Sequence, residues 1–220
     1  LVPLALGLAT ALFGVVFAAV QTDMKRLLAY SSIENVGVLF TGIGLAIVFH
    51  GVGMDRLAAL ALVAVLYHAL NHAVMKSLLF LGTGAVLHAT GQRNLGRLGG
   101  LIHRMPWAGW LTLVGVLAIA GLPPLNGFVS EWLLLQSLLF SHEVPRPFVN
   151  MLLPLGAAVV ALAGALAGYV MVKFFGVVFL GQPREASLSN AHDVDGLEKA
   201  GLAWLALGCV ALGLLPTQVI

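Results

Sequence analysis

Leu1-Val2-Pro3-Leu4-Ala5-Leu6-Gly7-Leu8-Ala9-Thr10-Ala11-Leu12-Phe13-Gly14-Val15-Val16-Phe17-Ala18-Ala19-Val20 runs for twenty residues without a charge. About 20 apolar residues in a helix cross the roughly 30 Å of hydrocarbon in a bilayer. The stretch has no basic leading segment and no small-residue cleavage site. It therefore reads as a spanning helix rather than a signal peptide. The first residue is Leu, not Met, and the sequence is expected to be one piece of a longer chain.

The rest of the chain agrees with that opening. Of 220 residues, 60% are hydrophobic and 9% are charged, against about 25% charged in a soluble domain. The mean hydropathy is +1.01. The 26 glycines suit helices whose backbones pack closely inside a membrane. Cys209 is the single cysteine, so an internal disulfide and a cysteine-based zinc site are both excluded. The net charge of +2 comes with no basic run, and nucleic acid is not an expected partner.

Apolar stretches at 1–20, 27–49, 57–87, 107–140, 149–180 and 197–215 predict about six transmembrane helices. Polar joints separate them at 21–26, 50–56, 90–106, 141–147 and 181–196. Lys25, Arg26, Arg93, Arg97, Arg104, Arg184 and Lys199 fall in or beside the first, third and fifth joints. Only Arg56 and Arg146 fall in the other two. Basic residues favour the cytoplasmic side. Joints 21–26, 90–106 and 181–196 are therefore expected in the cytoplasm of a multi-pass plasma-membrane protein.

An ionisable side chain at the bilayer centre costs about 2.5–3.5 kcal/mol on insertion scales, so such residues point to function. The third span reads Tyr67-His68-Ala69-Leu70-Asn71-His72-Ala73-Val74-Met75-Lys76. His68, His72 and Lys76 recur every four residues and share one helix face. Each can take and give a proton, and together they form a candidate relay beside Asn71. The competing reading is two satisfied histidines and a snorkelling lysine.

The fourth span contains Ala118-Ile119-Ala120-Gly121-Leu122-Pro123-Pro124-Leu125-Asn126-Gly127-Phe128. Pro123 and Pro124 remove two backbone donors, and Gly121 and Gly127 loosen the chain on either side. A regular helix is expected to break here. Broken backbone at membrane depth is tolerated where it is buried in protein or lines a wet cavity, and discontinuous helices mark ion sites in transporters. Ser130 and Glu131 follow by one to two turns. Glu131 is a candidate proton or cation site; otherwise it is an interfacial carboxylate after a re-entrant turn.

Other polar residues carry less. Glu34 lies inside the second span with Ser31 and Asn35 near it. Thr22 is a candidate helix cap and Asp23 suits the positive helix end. Arg26 reads as an interfacial anchor, and Lys25 as an anchor or a functional lysine. Lys173, in the fifth span, can either snorkel to the cytoplasmic edge or join a relay. No glycine-rich phosphate loop, cysteine cluster or haem-type histidine pair is present in the sequence. No cofactor or metal is expected in this chain, and any redox centre would sit on another subunit.

Three motifs in order now resemble one family. Thr22-Asp23-Met24-Lys25-Arg26-Leu27-Leu28-Ala29-Tyr30-Ser31-Ser32 is similar to the signature of proton-translocating, antiporter-like membrane subunits. These occur in respiratory complex I, in multisubunit cation/proton antiporters and in membrane-bound hydrogenases. His72-Ala73-Val74-Met75-Lys76-Ser77-Leu78-Leu79-Phe80 resembles the family's histidine–lysine helix. Gly121-Leu122-Pro123-Pro124-Leu125-Asn126-Gly127-Phe128-Val129-Ser130-Glu131 resembles its broken helix. Ser32-Ile33-Glu34-Asn35-Val36-Gly37 and Lys173-Phe174-Phe175-Gly176-Val177-Val178-Phe179-Leu180-Gly181-Gln182-Pro183-Arg184 look most like the large membrane subunit of formate hydrogenlyase and hydrogenase-4 complexes, component B.

The resemblance implies an all-α integral membrane fold. It makes residues 1–180 the second five-helix inverted repeat of the antiporter-like fold, broken near 121–127. Residues 181–196 become a cytoplasmic loop and 197–220 an additional helix. Lys25 matches the lysine at the cytoplasmic end of the second-repeat channel. His68, His72 and Lys76 match the central relay, and Glu131 the acidic form of the outward-side residue. Glu34 and Lys173 have no equally general counterpart and are further candidates.

The function implied is proton translocation within a redox-driven complex, of the hydrogenase, formate hydrogenlyase or NADH:quinone oxidoreductase kind. The implied partners are other membrane subunits and a soluble redox arm, with protons moved and the chain itself non-catalytic. Two alternatives remain at this point. One is a subunit of a cation/proton antiporter without a redox partner, in which Glu34 and Glu131 bind a cation such as Na⁺. The other is a membrane scaffold that moves nothing.

Overall fold

The computed structural model describes residues 1–141 and 144–220. His142 and Glu143, in the joint expected at 141–147, lie outside the described residues. Those described form seven α-helices: α1 (Val2–Val20), α2 (Met24–His50), α3 (Asp55–Thr90), α4 (Pro106–Ile119), α5 (Asn126–Leu139), α6 (Pro147–Phe179) and α7 (Gly196–Leu214). Five of them are long and apolar enough to cross a membrane. The remaining crossing is the expected broken one. At 14 residues each, α4 and α5 are about 21 Å long, and neither spans alone.

Helix α2 starts at Met24, and its cap is Asp23 rather than Thr22. The Asp23 carboxylate accepts the backbone N–H groups of Lys25 and Arg26 at 2.9 and 3.1 Å. A carboxylate is well suited to this place because it answers both the free N–H groups and the positive end of the helix. Helices α1 and α2 pack along a seam of small residues. A Cβ at Gly7, Gly37 or Gly44 would lie within 2.5 Å of backbone on the opposite helix. Such close approach replaces the hydrophobic drive that lipid-facing helices lack.

The joints sort by end as the basic residues predicted. The Met24 N–H reaches the Arg93 carbonyl and the Leu95 N–H reaches the Thr22 carbonyl. Arg93 pairs with Asp23 at 2.9 Å. The Arg184 guanidinium donates to the Leu95 and Leu98 carbonyls, and Asp193 caps α4 at the N–H groups of Trp107 and Ala108. Joints 21–26, 90–106 and 181–196 thus form one basic end. At the opposite end, Leu1, Gly51, Val52, Arg146 and Val149 line a shared recess.

Between the ends, α3 lies against α2, α4, α5 and α7. Its 36 residues run unbroken, and His72 stands at their midpoint. The break at 120–125 sits beside it. Here the Ala120, Gly121, Leu122 and Leu125 N–H groups turn back onto the Val116, Ala118, Leu117 and Leu122 carbonyls. Gly121 takes a left-handed φ of +66°, which a Cβ would strain. The far end of α7 closes over the break, with the Tyr67 hydroxyl donating to the Leu212 carbonyl and Gly213 against Pro124 and Leu125.

Candidate functional site: a buried polar axis

The axis begins at the basic end of α2. Lys25 is half-buried in its first turn. One turn further, the Leu28 carbonyl accepts from the Lys76 ammonium at 2.8 Å. Lys76 is 7% exposed and Glu34 only 2%. Both are ionisable groups away from water, where an unpartnered charge is costly. Glu34 lies within electrostatic reach of both Lys76 and Glu131. The carboxylate read from sequence as a further candidate is therefore the group that both of the others influence.

From Glu34 a hydrogen-bonded chain runs to the break. The Asn35 amide donates to Glu34 Oε2 at 2.7 Å and to the Ser31 carbonyl at 2.9 Å. Asn35 Oδ1 meets His68 Nε2 at 3.1 Å. His68 Nδ1 meets the Ser130 hydroxyl at 2.9 Å. Three helices thus contribute: α2 gives Glu34 and Asn35, α3 gives His68, and α5 gives Ser130. Asn35, His68 and Ser130 are all buried, so no bond in the chain competes with solvent.

His72 extends the axis along α3. Its ring stacks near that of His68, with centroids 6.3 Å apart and planes 16° apart. Its Nε2 is buried and has no hydrogen-bond partner among the described residues. The one-turn spacing read from sequence therefore places the two rings as expected. Asn71, on the same helix, fastens the break. Its amide donates to the Asn126 carbonyl at 2.9 Å, and the Asn126 amide returns to Asn71 Oδ1 at 3.3 Å.

Glu131 stands one to two turns past the break on α5. It is half-buried, and among the described residues it makes no hydrogen bond or ion pair. A Cβ at Gly121 would come within 2.7 Å of its Oε2, and one at Gly164 within 3.7 Å. The missing side chains on the break and on α6 are what admit the carboxylate. Gly127 serves the same junction, since a Cβ there would lie 1.9 Å from the Ala118 carbonyl oxygen. Each of the break residues predicted from sequence, Gly121, Pro123, Pro124 and Gly127, falls at or beside this turn.

Lys173 stands apart. Its ammonium donates to the Ala19 carbonyl at 2.7 Å and the Gln21 carbonyl at 3.4 Å, at the end of α1. A cation there answers the free carbonyls and the negative end of the helix. His68, His72, Lys76 and Glu34 are brought together around α3, Glu131 lies within electrostatic reach of Glu34, Lys25 stays in the first turn of α2, and Lys173 is placed on a helix end. The cross-helix partners Asn35 and Ser130 are the members of the hydrogen-bonded chain that residue spacing did not assign. A polar residue buried beside a titratable one was the available signal.

Comparison with known proteins gives the same family as the three motifs. The family described as NADH:quinone oxidoreductase/Mrp antiporter, TM, matches residues 2–152. The chain is 43% identical over 211 residues to formate hydrogenlyase subunit 3 of Escherichia coli (strain K12), covering 96% of this chain and 34% of that protein. It is 38% identical over 211 residues to hydrogenase-4 component B of the same organism, covering 96% of this chain and 31% of the relative. The chain thus spans about a third of the length of these relatives. Among solved structures, a chain of the membrane-bound sulfane sulfur reductase, an archaeal respiratory membrane complex, superposes with a TM-score of 0.81. The identity is 30%, over 96% of this chain and 32% of that one.

Proposed function

Since the chain belongs to the NADH:quinone oxidoreductase/Mrp antiporter transmembrane family, we propose that it is the part of a redox-driven membrane complex that moves protons. Lys25, Lys76, Glu34, His68, His72 and Glu131 are the groups that carry them. The observation that supports this most is the burial of Lys76 and Glu34 within electrostatic reach of each other, with Glu131 in turn within reach of Glu34. A proton added to or taken from any one of the three changes the energy of charge on its neighbours. That is the minimal requirement for passing protons in steps. The work involved is modest, since one charge crossing 100 mV corresponds to about 2.3 kcal/mol.

Similarity to a hydrogenase-4 component and a formate hydrogenlyase subunit supports a hydrogenase-type complex with further membrane subunits and a soluble redox arm. On this reading the chain carries no cofactor, and electrons travel elsewhere in the complex. The plasma membrane is the proposed location, with the basic end in the cytoplasm. A second reading rests on Glu34 and Glu131 lying within electrostatic reach of each other. Two carboxylates near one another suit a cation such as Na⁺, and the family includes Mrp antiporters.

The test is proton translocation by the full-length protein in its complex, sealed in vesicles, with formate, hydrogen and NADH each offered as electron donor. Glu131→Gln is expected to lower the proton yield per electron by about tenfold or more while the complex stays assembled. Unchanged yield and rate would refute the proton-route reading. Flux driven by an imposed Na⁺ gradient with no electron donor would favour the antiporter reading.

A further inference from the structure

Histidine 68 has its two ring nitrogens on different kinds of partner, and the difference fixes its chemistry. The Asn35 amide reaches both the Ser31 backbone carbonyl at 2.9 Å and Glu34 Oε2 at 2.7 Å. A backbone carbonyl only accepts, so the atom facing it must be the amide nitrogen. Asn35 Oδ1 is then the atom 3.1 Å from His68 Nε2. That oxygen also only accepts, so Nε2 carries a hydrogen in both charge states of the ring. Exchange is left to Nδ1, which faces the Ser130 hydroxyl at 2.9 Å.

The Ser130 hydroxyl has a second choice. Its oxygen lies 3.1 Å from the Gly127 carbonyl and 3.4 Å from that of Asn126. A serine hydroxyl has one hydrogen to donate. With Nδ1 bare, Ser130 donates to the ring. With Nδ1 protonated, the ring donates to Ser130, and the hydroxyl turns to the first-turn carbonyls of α5, as a serine in a helix readily does. As a proton arrives, the Ser130 O–H bond breaks while N–H forms at Nδ1, and the Ser130 oxygen forms a new O–H bond with the hydrogen given up by an oxonium or imidazolium donor.

We propose that Ser130 and Asn35 are positioning residues that make His68 a one-sided proton acceptor and report its charge to α5, the helix that carries Glu131. Resting on the proton-route reading above, this adds a direction to it. Asn35 separates His68 from Glu34, because an amide holds its hydrogens and passes none along. Protons reach His68 from the Ser130 and His72 side. The Glu34 carboxylate influences His68 by charge alone, through a fixed amide. Buried networks of this kind hold their members in place only while every member is satisfied, and Asn35 and Ser130 are the links between elements 33 and 62 residues from His68 in sequence.

The test has two arms, both on the full-length protein in its complex. Nitrogen-15 NMR of labelled histidines in bilayers, with His68 assigned by its loss in His68→Phe, reads the hydrogen positions directly. Neutral His68 is expected with its hydrogen on Nε2 and Nδ1 bare; a neutral ring with hydrogen on Nδ1 overturns the inference. In vesicles driven by formate, hydrogen or NADH, Ser130→Ala should lower proton yield per electron to below half of wild type, and Ser130→Thr should restore most of it. If Ser130→Ala keeps the full yield while Glu131→Gln loses it, the inference fails and the proton route stands. If neither variant changes the yield, both fail.

Discussion

Helix α3 and the α4–α5 pair supply facing sides of the axis by opposite means. On α3 the polar groups ride a continuous rod of 36 residues, so a spacing of four is enough to align His68, His72 and Lys76. On α4–α5 the rod is interrupted at 120–125, and position is set by what grips the break: Asn71 from α3, the end of α7, and the fit of Gly127 against Ala118. A rod orders groups along one line. A break turns a helix so that Ser130 can meet His68 while its neighbour Glu131 packs against Gly121 and Gly164. The contrast shows why a membrane protein keeps a costly irregularity beside a regular helix: the freed backbone is re-bonded by neighbours, and two adjacent residues serve different places.

Substitutions at the break and on the rod test this contrast. Gly127→Ala should act most strongly, because its Cβ would meet the Ala118 carbonyl oxygen at 1.9 Å. A cost of about 3 kcal/mol or more is expected from forced repacking, read as a loss of assembled protein or of thermal stability in detergent. A comparable change on the rod, where Gly84 has nothing near a Cβ, should leave stability unchanged; equal effects at the two sites would erase the distinction. Asn71→Leu should cost about 2 kcal/mol, since it removes bonds across α3 and α5 and leaves Asn126 with fewer partners. Lys173→Met should be milder, about 0.5–1 kcal/mol, by removing a cation from the end of α1. It should leave proton yield intact, and a large loss of yield would move Lys173 onto the axis.

The regular side of this contrast was legible in the sequence. Apolar run lengths gave six crossings, the two prolines gave the broken one, and the basic residues gave the shared end. Spacing also placed His68, His72 and Lys76 on one face. What spacing could not supply was partners from other helices. From sequence Glu34 reads only as a further candidate, because Lys76 comes from α3, far away along the chain, and spacing does not show that it reaches Glu34. Asn35 and Ser130 were visible only as polar neighbours of more conspicuous residues, since their roles depend on how α2 and α5 are turned against α3. Lys173 illustrates the same limit. Its depth in α6 was readable, but the α1 carbonyls that receive it lie more than 150 residues away.

Lys76 links the most elements of the axis, since it rides on α3, bonds the α2 carbonyl of Leu28 and lies within electrostatic reach of Glu34. The decisive measurement is proton yield per electron for Lys76→Gln, in the assembled complex in sealed vesicles, with electron transfer followed in parallel. A fall of about tenfold or more is expected, with electron transfer retained at least in part. A yield equal to wild type, in a complex shown to be intact, would contradict a proton route through this axis.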